Sequence, residues 1–274
     1  MSSDAGGMRS FSALLDLSGR AALVVGGAGH VGLAASEALA ELGCAVAISD
    51  VDDARCRARA DDLADRFGVR TTALAADLVD ETATRALPHA TAEALGSLDV
   101  LVHCAAYVGT TQAAGWSVPF AEQTVDAWDA ALRVNLTSAF VLAQESAGLL
   151  RAGQGGSIVL VASIYGLVGP QPALYEGTTM ANPLAYGASK AGLIQLARSL
   201  ATTLAPDIRV NAVVPGGIER GQPDVFRHRY EERIPLGRMA TEEDLKGAFA
   251  YLASDASAYV TGHALTVDGG WTAW

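Results

Sequence analysis

The sequence predicts an α/β fold, a doubly wound seven-stranded parallel sheet with helices on both faces. Three observations predict it. Short, almost wholly apolar runs alternate with longer amphipathic ones from Ala21 onward, as when parallel strands covered on both faces are joined by crossover helices. A glycine-rich turn follows the first apolar run directly. Of the 274 residues, 50% are hydrophobic, enough to bury one large core.

The apolar runs 21–25, 44–49, 70–75, 100–104, 157–162, 208–213 and 264–267 read as the strands in order. Between them, 30–42, 53–66, 81–95, 123–149, 184–204 and 241–253 are rich in Ala, Leu, Glu and Arg with helical apolar spacing, and read as helices. No repeat, low-complexity segment or linker divides them. The Gly/Pro stretches 166–183 and 215–223 therefore read as loops over a ligand crevice. Residues 1–16 read as a mobile tail and 17–274 as a single domain.

Composition excludes several partners. A formal charge of -11 with no Lys/Arg run repels a nucleic-acid backbone and an anionic membrane surface alike. Cys44, Cys56 and Cys104 lie far apart without metal-ligand spacing, so neither a disulfide framework nor a metal site is signalled, and a cytoplasmic setting is expected. The N-terminus lacks a basic-then-apolar leader, and the sequence has no long uninterrupted apolar stretch. No membrane partner is expected.

The turn after the first strand is Gly26-Gly27-Ala28-Gly29-His30-Val31-Gly32, opening a helix. A pyrophosphate reaches backbone N–H groups at a helix N-terminus only where no Cβ intervenes. Asp50 closes the second strand 18 residues after Gly32, where a carboxylate accepts both ribose hydroxyls of NAD and repels the 2′-phosphate of NADP. Asp50 reads either as this ribose acid or as a cap or solvated acid like Asp52 and Asp53. The fold is thus Rossmann-type, with NAD expected as cofactor and NADP less so.

The loop resembles the Gly-x-x-x-Gly-x-Gly signature of the short-chain dehydrogenases/reductases, with Gly26 and Gly32 at its first and third glycines and His30 where the middle one belongs. Gly27-x-Gly29-x-x-Gly32 also satisfies the general dinucleotide fingerprint. Asp77-Leu78 is similar to the family's adenine-contacting pair. His103-Cys104-Ala105-Ala106 stands where the family carries Asn-Asn-Ala-Gly, so only Ala105 is retained. His103 and Cys104 read as packed strand-end residues. Asn211-Ala-Val-Val-Pro215-Gly216-Gly217-Ile218 resembles the segment lining the nicotinamide, and Val267-Asp268-Gly269-Gly270 the family's C-terminal close. The resemblance runs from about 17 to 271.

Tyr186-Gly-Ala-Ser-Lys190 puts a phenol and an ammonium one turn apart on a helix. Oxidising an alcohol needs a base for the hydroxyl proton as hydride leaves, and a neighbouring lysine charge should lower the tyrosine pKa. Alone, this spacing is a common accident. The resemblance implies Tyr186 as general acid/base, Lys190 also binding the nicotinamide ribose, Ser163 orienting the substrate oxygen and Asn135 completing a proton relay. The cofactor contacts it implies are Gly26, Gly29, His30, Val31, Gly32, Asp50, Asp77, Leu78, Ala105, Tyr186, Lys190, Pro215, Gly216 and Ile218. No metal is implied.

Ser163 and Tyr186 are 23 positions apart, wider than is usual in the family, so 170–183 reads as an insertion shaping the substrate pocket. The segment Ser163-Ile-Tyr-Gly, with Tyr175-Glu-Gly-Thr further on, resembles a bacterial subgroup of surface-polysaccharide and nonulosonic-acid sugar biosynthesis. Glu176, Thr178, Thr179 and Asn182 could meet sugar hydroxyls, and Arg220, Arg227, His228 or Arg229 a phosphate, unless each simply faces solvent. The expected function is NAD-dependent interconversion of a secondary alcohol and a ketone on a small molecule, first a sugar, sugar phosphate or polyol. The rivals are a 3-oxoacyl thioester reductase and a non-catalytic dinucleotide sensor or scaffold. A homotetramer or homodimer is expected through 123–149, 184–204 and the C-terminal strand, with Trp271 and Trp274 covered at the interface.

Overall fold

The computed structural model describes residues 8–109 and 111–274. Seven strands, β1 (Ala21–Val25), β2 (Ala45–Asp50), β3 (Thr71–Ala75), β4 (Val100–His103), β5 (Gly156–Val161), β6 (Ile208–Pro215) and β7 (Ala264–Val267), form one sheet in the order β3-β2-β1-β4-β5-β6-β7. Every pairing is parallel. The chain leaves β3 at one edge and crosses to β4 beside β1, so the sheet reverses winding between β1 and β4. Ligands bind at such a reversal, outside the carboxyl ends of the strands.

Alternation along the strands builds two cores. Leu23, Leu101, Ile158 and Leu160 pack on one face with Leu142 and Leu193; Val24, Ile48, Val102 and Val159 pack on the other with Leu39, Leu63 and Phe249. The first face is covered by helices α4 (Glu81–Leu95), α6 (Ser138–Ala152) and α7 (Leu184–Leu204), the second by α2 (His30–Glu41), α3 (Asp53–Phe67) and α9 (Glu243–Ala253). Both faces are apolar because each strand is roofed twice.

Four features differ from the sequence expectation. Within 1–16, Phe11–Leu15 forms a short helix α1, capped by Ser10 accepting from Ala13 N at 3.2 Å, and Arg9 pairs with Asp255 at 2.8 Å; residues 1–7 lie outside the described residues. The single helix expected over 123–149 is α5 (Val125–Leu132), a π-turn at Arg133–Thr137 and then α6. Helix α8 (Asp224–Glu231) was not foreseen. Trp271, expected at a subunit interface, is 5% exposed within its own chain. It stacks on Tyr230 at 4.3 Å and 15°.

No helix among the described residues is long and apolar enough to cross a membrane.

Candidate active site

The glycine-rich turn is a cradle shaped by what a side chain would strike. Gly26 has φ 77°, and a Cβ there would lie 2.5 Å from the Ala105 nitrogen. A Cβ on Gly32 would lie 2.1 Å from the Gly26 carbonyl oxygen. The turn is thus clasped between the exit of β4 and the first turn of α2. Gly26 and Gly27 both donate their N–H to the Ser49 carbonyl, at 2.8 and 2.9 Å, holding it against the end of β2. Gly29 caps α2 without a side chain, and no acidic residue occupies the first turn. The N–H groups of His30, Val31 and Gly32 open that turn, a site built for an anion.

His30 is compatible with this cradle because its ring points outward: it is exposed, and Nδ1 lies 3.7 Å from Glu242. Asp50 sits half-buried at the end of β2, one oxygen accepting from Val51 N at 2.8 Å. Asp77 is exposed and accepts from Val79 N at 2.9 Å, while Leu78 is buried. A contact the sequence did not suggest comes from Arg55, whose Nη2 donates to the Ala28 carbonyl at 2.9 Å over the cradle. A turn too close-packed for a Cβ at Gly26 or Gly32, beside a helix start without a capping side chain and a carboxylate, fits a dinucleotide.

The reacting groups stand across the crevice. Ser163 follows β5 and is 7% exposed. Its Oγ accepts from Tyr165 N at 3.2 Å, leaving the hydroxyl proton to donate elsewhere. Tyr186 and Lys190 share one face of α7, whose start is held by Leu184 N donating to Gln123 Oε1 at 3.2 Å. The Tyr186 phenol faces the Ser163 hydroxyl, which favours its ionised form. Lys190 is 2% exposed, donates to the Val161 carbonyl at 2.7 Å and lies 5.6 Å from the Tyr186 ring centre.

These positions revise the expected proton electrostatics. Burial raises the Tyr186 pKa above its ordinary value, with the Ser163 hydrogen bond and the more distant Arg220 charge opposing it. Burial also pushes Lys190 itself down to about 8.

Asn135 sits in the π-turn, fully buried. Its Oδ1 accepts from Tyr107 N at 2.7 Å and its Nδ2 donates to Ser189 Oγ at 2.9 Å. The side chain therefore ties the loop after β4 to α7, one residue before Lys190, and does not itself touch Lys190. His103 is a buried strand-end residue, its Nε2 2.7 Å from Ser138 Oγ, which in turn donates to the Val134 carbonyl at 2.6 Å. Burial first and the Lys190 charge second push its pKa down to about 3, so the ring is neutral. Burial likewise pushes the Cys104 thiol up to about 12.

The loop after β6 completes the crevice. Gly216 donates to the Val267 carbonyl at 2.9 Å, and Gly217 donates to the Tyr230 hydroxyl at 2.6 Å. Ile218 bridges in parallel to Ala240. The 170–183 insertion folds over this wall: Tyr165 and Tyr175 share a hydrogen bond of 2.8 Å, Asn182 reaches Tyr175 at 3.3 Å, and Tyr175, Phe226 and Tyr230 pack in sequence onto Trp271. Of the candidate phosphate ligands, Arg229 is spent on the carbonyls of Ala173 and Glu176, Arg227 on Glu219 and Asp224, and His228 on Glu232. The aromatic ladder through α8 is the part of the site that sequence patterning missed.

Comparison with known proteins agrees with this geometry. A family model described as enoyl-(acyl carrier protein) reductase matches residues 26–272. The chain is 38% identical to a cis-4-hydroxycyclohexanecarboxylate dehydrogenase from Sinomonas cyclohexanicum, over 93% of this chain and 97% of the relative. This chain belongs to the short-chain dehydrogenases/reductases. It is an NAD(P)-dependent oxidoreductase acting on alcohol groups. The enzyme is also 31% identical to a 3-oxoacyl-(acyl-carrier-protein) reductase from Aquifex aeolicus, over 93% of this chain and 98% of that one. An L-rhamnose 1-dehydrogenase (NAD(P)(+)) from Sphingomonas is 35% identical over 93% of this chain and 96% of the relative. Among solved structures, a putative short-chain alcohol dehydrogenase from Sinorhizobium meliloti superposes with a TM-score of 0.83 at 34% identity, covering 95% and 99% of the two chains.

Proposed function

We propose that the enzyme is an NAD-linked dehydrogenase or reductase interconverting a secondary alcohol and a ketone, with a sugar, sugar phosphate or polyol as first substrate class. The observation that carries the reading is the buried Lys190 held by the Val161 carbonyl beneath Tyr186 on one helix face, with the Ser163 hydroxyl facing the phenol and the glycine cradle at the start of α2. When bound, the nicotinamide accepts or supplies the hydride. Ser163 donates to the substrate oxygen, and the Tyr186 hydroxyl exchanges its proton at that oxygen. Lys190 places a positive charge beneath the pair and offers its ammonium to ribose hydroxyls. Asn135 positions α7 through Ser189.

The alcohol and sugar dehydrogenases among the relatives support a compact, hydroxylated substrate. The polar lining of the insertion supports it too: Tyr165, Tyr175 and Asn182 form a hydrogen-bonded edge beside Ser163. Asp50 favours NAD. A second reading, reduction of a 3-oxoacyl thioester, draws on the family model and on the Aquifex relative. Exposed Trp128, Phe140 and Leu184 on α5, α6 and α7 support self-association as a dimer or tetramer.

The test is turnover followed by nicotinamide absorbance across sugars, sugar phosphates, polyols, hydroxylated ring carboxylates and 3-oxo thioesters. Tyr186→Phe is expected to lose about a hundredfold or more in kcat. Asp50→Ala is expected to shift preference from NAD towards NADP. Full activity in Tyr186→Phe, or an unchanged nucleotide preference in Asp50→Ala, refutes the corresponding role.

A further inference from the structure

We propose that Glu242, Arg220 and His30 form a latch across the dinucleotide crevice, in which the Glu242 carboxylate holds the Arg220 guanidinium until the cofactor's diphosphate displaces it. The proposal rests on the dinucleotide-dependent reading of the site and concerns how the crevice opens and closes on its cofactor. Two side chains from opposite walls meet on one atom. Glu242 Oε1 accepts from Arg220 Nε at 3.0 Å and lies 3.7 Å from His30 Nδ1. His30 is the first residue of α2, whose leading N–H groups form the anion site. Arg220 belongs to the loop after β6 that closes the other side.

The arrangement is built into the backbone. Ala240 N donates to the Gly217 carbonyl at 2.9 Å, and Glu219 N donates to the Ala240 carbonyl at 2.9 Å, on either side of the Ile218–Ala240 bridge. Glu242 is therefore presented to Arg220 by a clamp two residues away. Arg220 N is fixed in turn by Gln222 Oε1 at 2.7 Å, and Gln222 Nε2 donates back to the Ile218 carbonyl at 2.7 Å. The stem is held; the guanidinium is not. Its Nε is engaged, but its two Nη nitrogens make no hydrogen bond among the described residues, and the side chain is 35% exposed.

The guanidinium charge also favours the ionised form of the Tyr186 phenol. Through Glu242 the guanidinium stands beside His30, the first residue of α2, at the edge of the anion site. The other cations of this region, Arg227, Arg229 and His228, are each held by local partners. Arg220 is the cation of this loop with donors to spare. A diphosphate arriving at the α2 N-terminus offers it acceptors of higher charge than one carboxylate. Glu242 then acts against binding: it competes for Arg220 in the free enzyme and hastens release.

The experiment is equilibrium titration of the substrate-free enzyme with NADH, read by nicotinamide fluorescence. Arg220→Gln is expected to raise Kd about tenfold, the loss of one charge-assisted hydrogen bond. Glu242→Gln is expected to lower Kd about threefold, in the range of an exposed ion pair. In an Arg220→Gln background the second substitution is expected to change nothing, because the latch has no guanidinium to hold. An equal gain from Glu242→Gln in both backgrounds means general charge repulsion and overturns the latch. So does unchanged NADH affinity in Arg220→Gln, including the case in which only KM for an anionic substrate rises. Absence of NADH and NADPH binding by the unsubstituted enzyme refutes the dinucleotide reading itself and the latch with it; binding without the coupling refutes the latch alone.

Discussion

Replacing Lys190 by methionine should abolish turnover and yet make the protein more stable. The ammonium is 2% exposed in a core position of α7, and burial takes its pKa from the ordinary 10.5 to about 8. That fall corresponds to about 3 kcal/mol of destabilisation at neutral pH. Methionine fills nearly the same volume without the charge. It also strands the Val161 carbonyl that accepts from Lys190 Nζ at 2.7 Å, which costs about 1–2 kcal/mol. The net gain is about 1–2 kcal/mol, roughly 3–6 °C in Tm for a domain of this size. The sign fixes the pH window. A base whose folded pKa is depressed binds fewer protons folded than unfolded, so the unsubstituted protein gains stability as pH rises from about 8 to 10.5. The advantage of the methionine variant should be full below pH 8, pass through zero across that window, and become a deficit of about 1–2 kcal/mol above pH 10.5, where only the lost bond to Val161 remains. Thermal unfolding of cofactor-free protein from neutral to alkaline pH measures it. A pH-independent gap, or a methionine variant less stable at neutral pH, refutes the argument.

Two further substitutions probe the walls of the crevice. Gly32→Ala puts a Cβ 2.1 Å from the Gly26 carbonyl oxygen; nucleotide affinity should collapse and Tm fall, and a variant that titrates normally with NADH contradicts the cradle. Tyr230→Phe removes the hydroxyl that accepts from Gly217 N at 2.6 Å while keeping the stack on Trp271. It should cost about 1–2 kcal/mol in urea unfolding and raise the cofactor KM more than it lowers kcat, whereas unchanged constants would show that the loop is held by its other bonds.

What could be read from the chain depended on whether the signal was local. The strands were legible because residues such as Leu23 and Val24, on opposite faces, are both buried and leave an unbroken apolar run. The glycine cradle and the Tyr186–Lys190 spacing were legible because each fits within a few residues of one strand–helix junction or one helix turn. Helix α8 was not. Its sequence DVFRHRYE is mostly polar, and its two buried positions, Phe226 and Tyr230, find partners in Tyr175 of the insertion and Trp271 at the C-terminus. Such pairings join segments about forty to fifty residues apart, and no window contains them. The same limit explains the π-turn, where Asn135 satisfies both backbone groups of Tyr107 from across the crevice.

It also explains why the expected effect of Lys190 on Tyr186 came out reversed in emphasis. Spacing alone reports that two groups share a helix face, but the sign of a pKa shift depends on what else surrounds them, and here desolvation outweighs charge. In the cofactor-free enzyme burial favours the neutral Tyr186 phenol, the form that gives a proton to a ketone oxygen, while Lys190, at about 8, stays largely charged at neutral pH. Filling the crevice with a polar, charged dinucleotide changes the very surroundings that cause both shifts. Occupying the cradle therefore changes the electrostatics of the acid/base pair as well as bringing the hydride carrier to it.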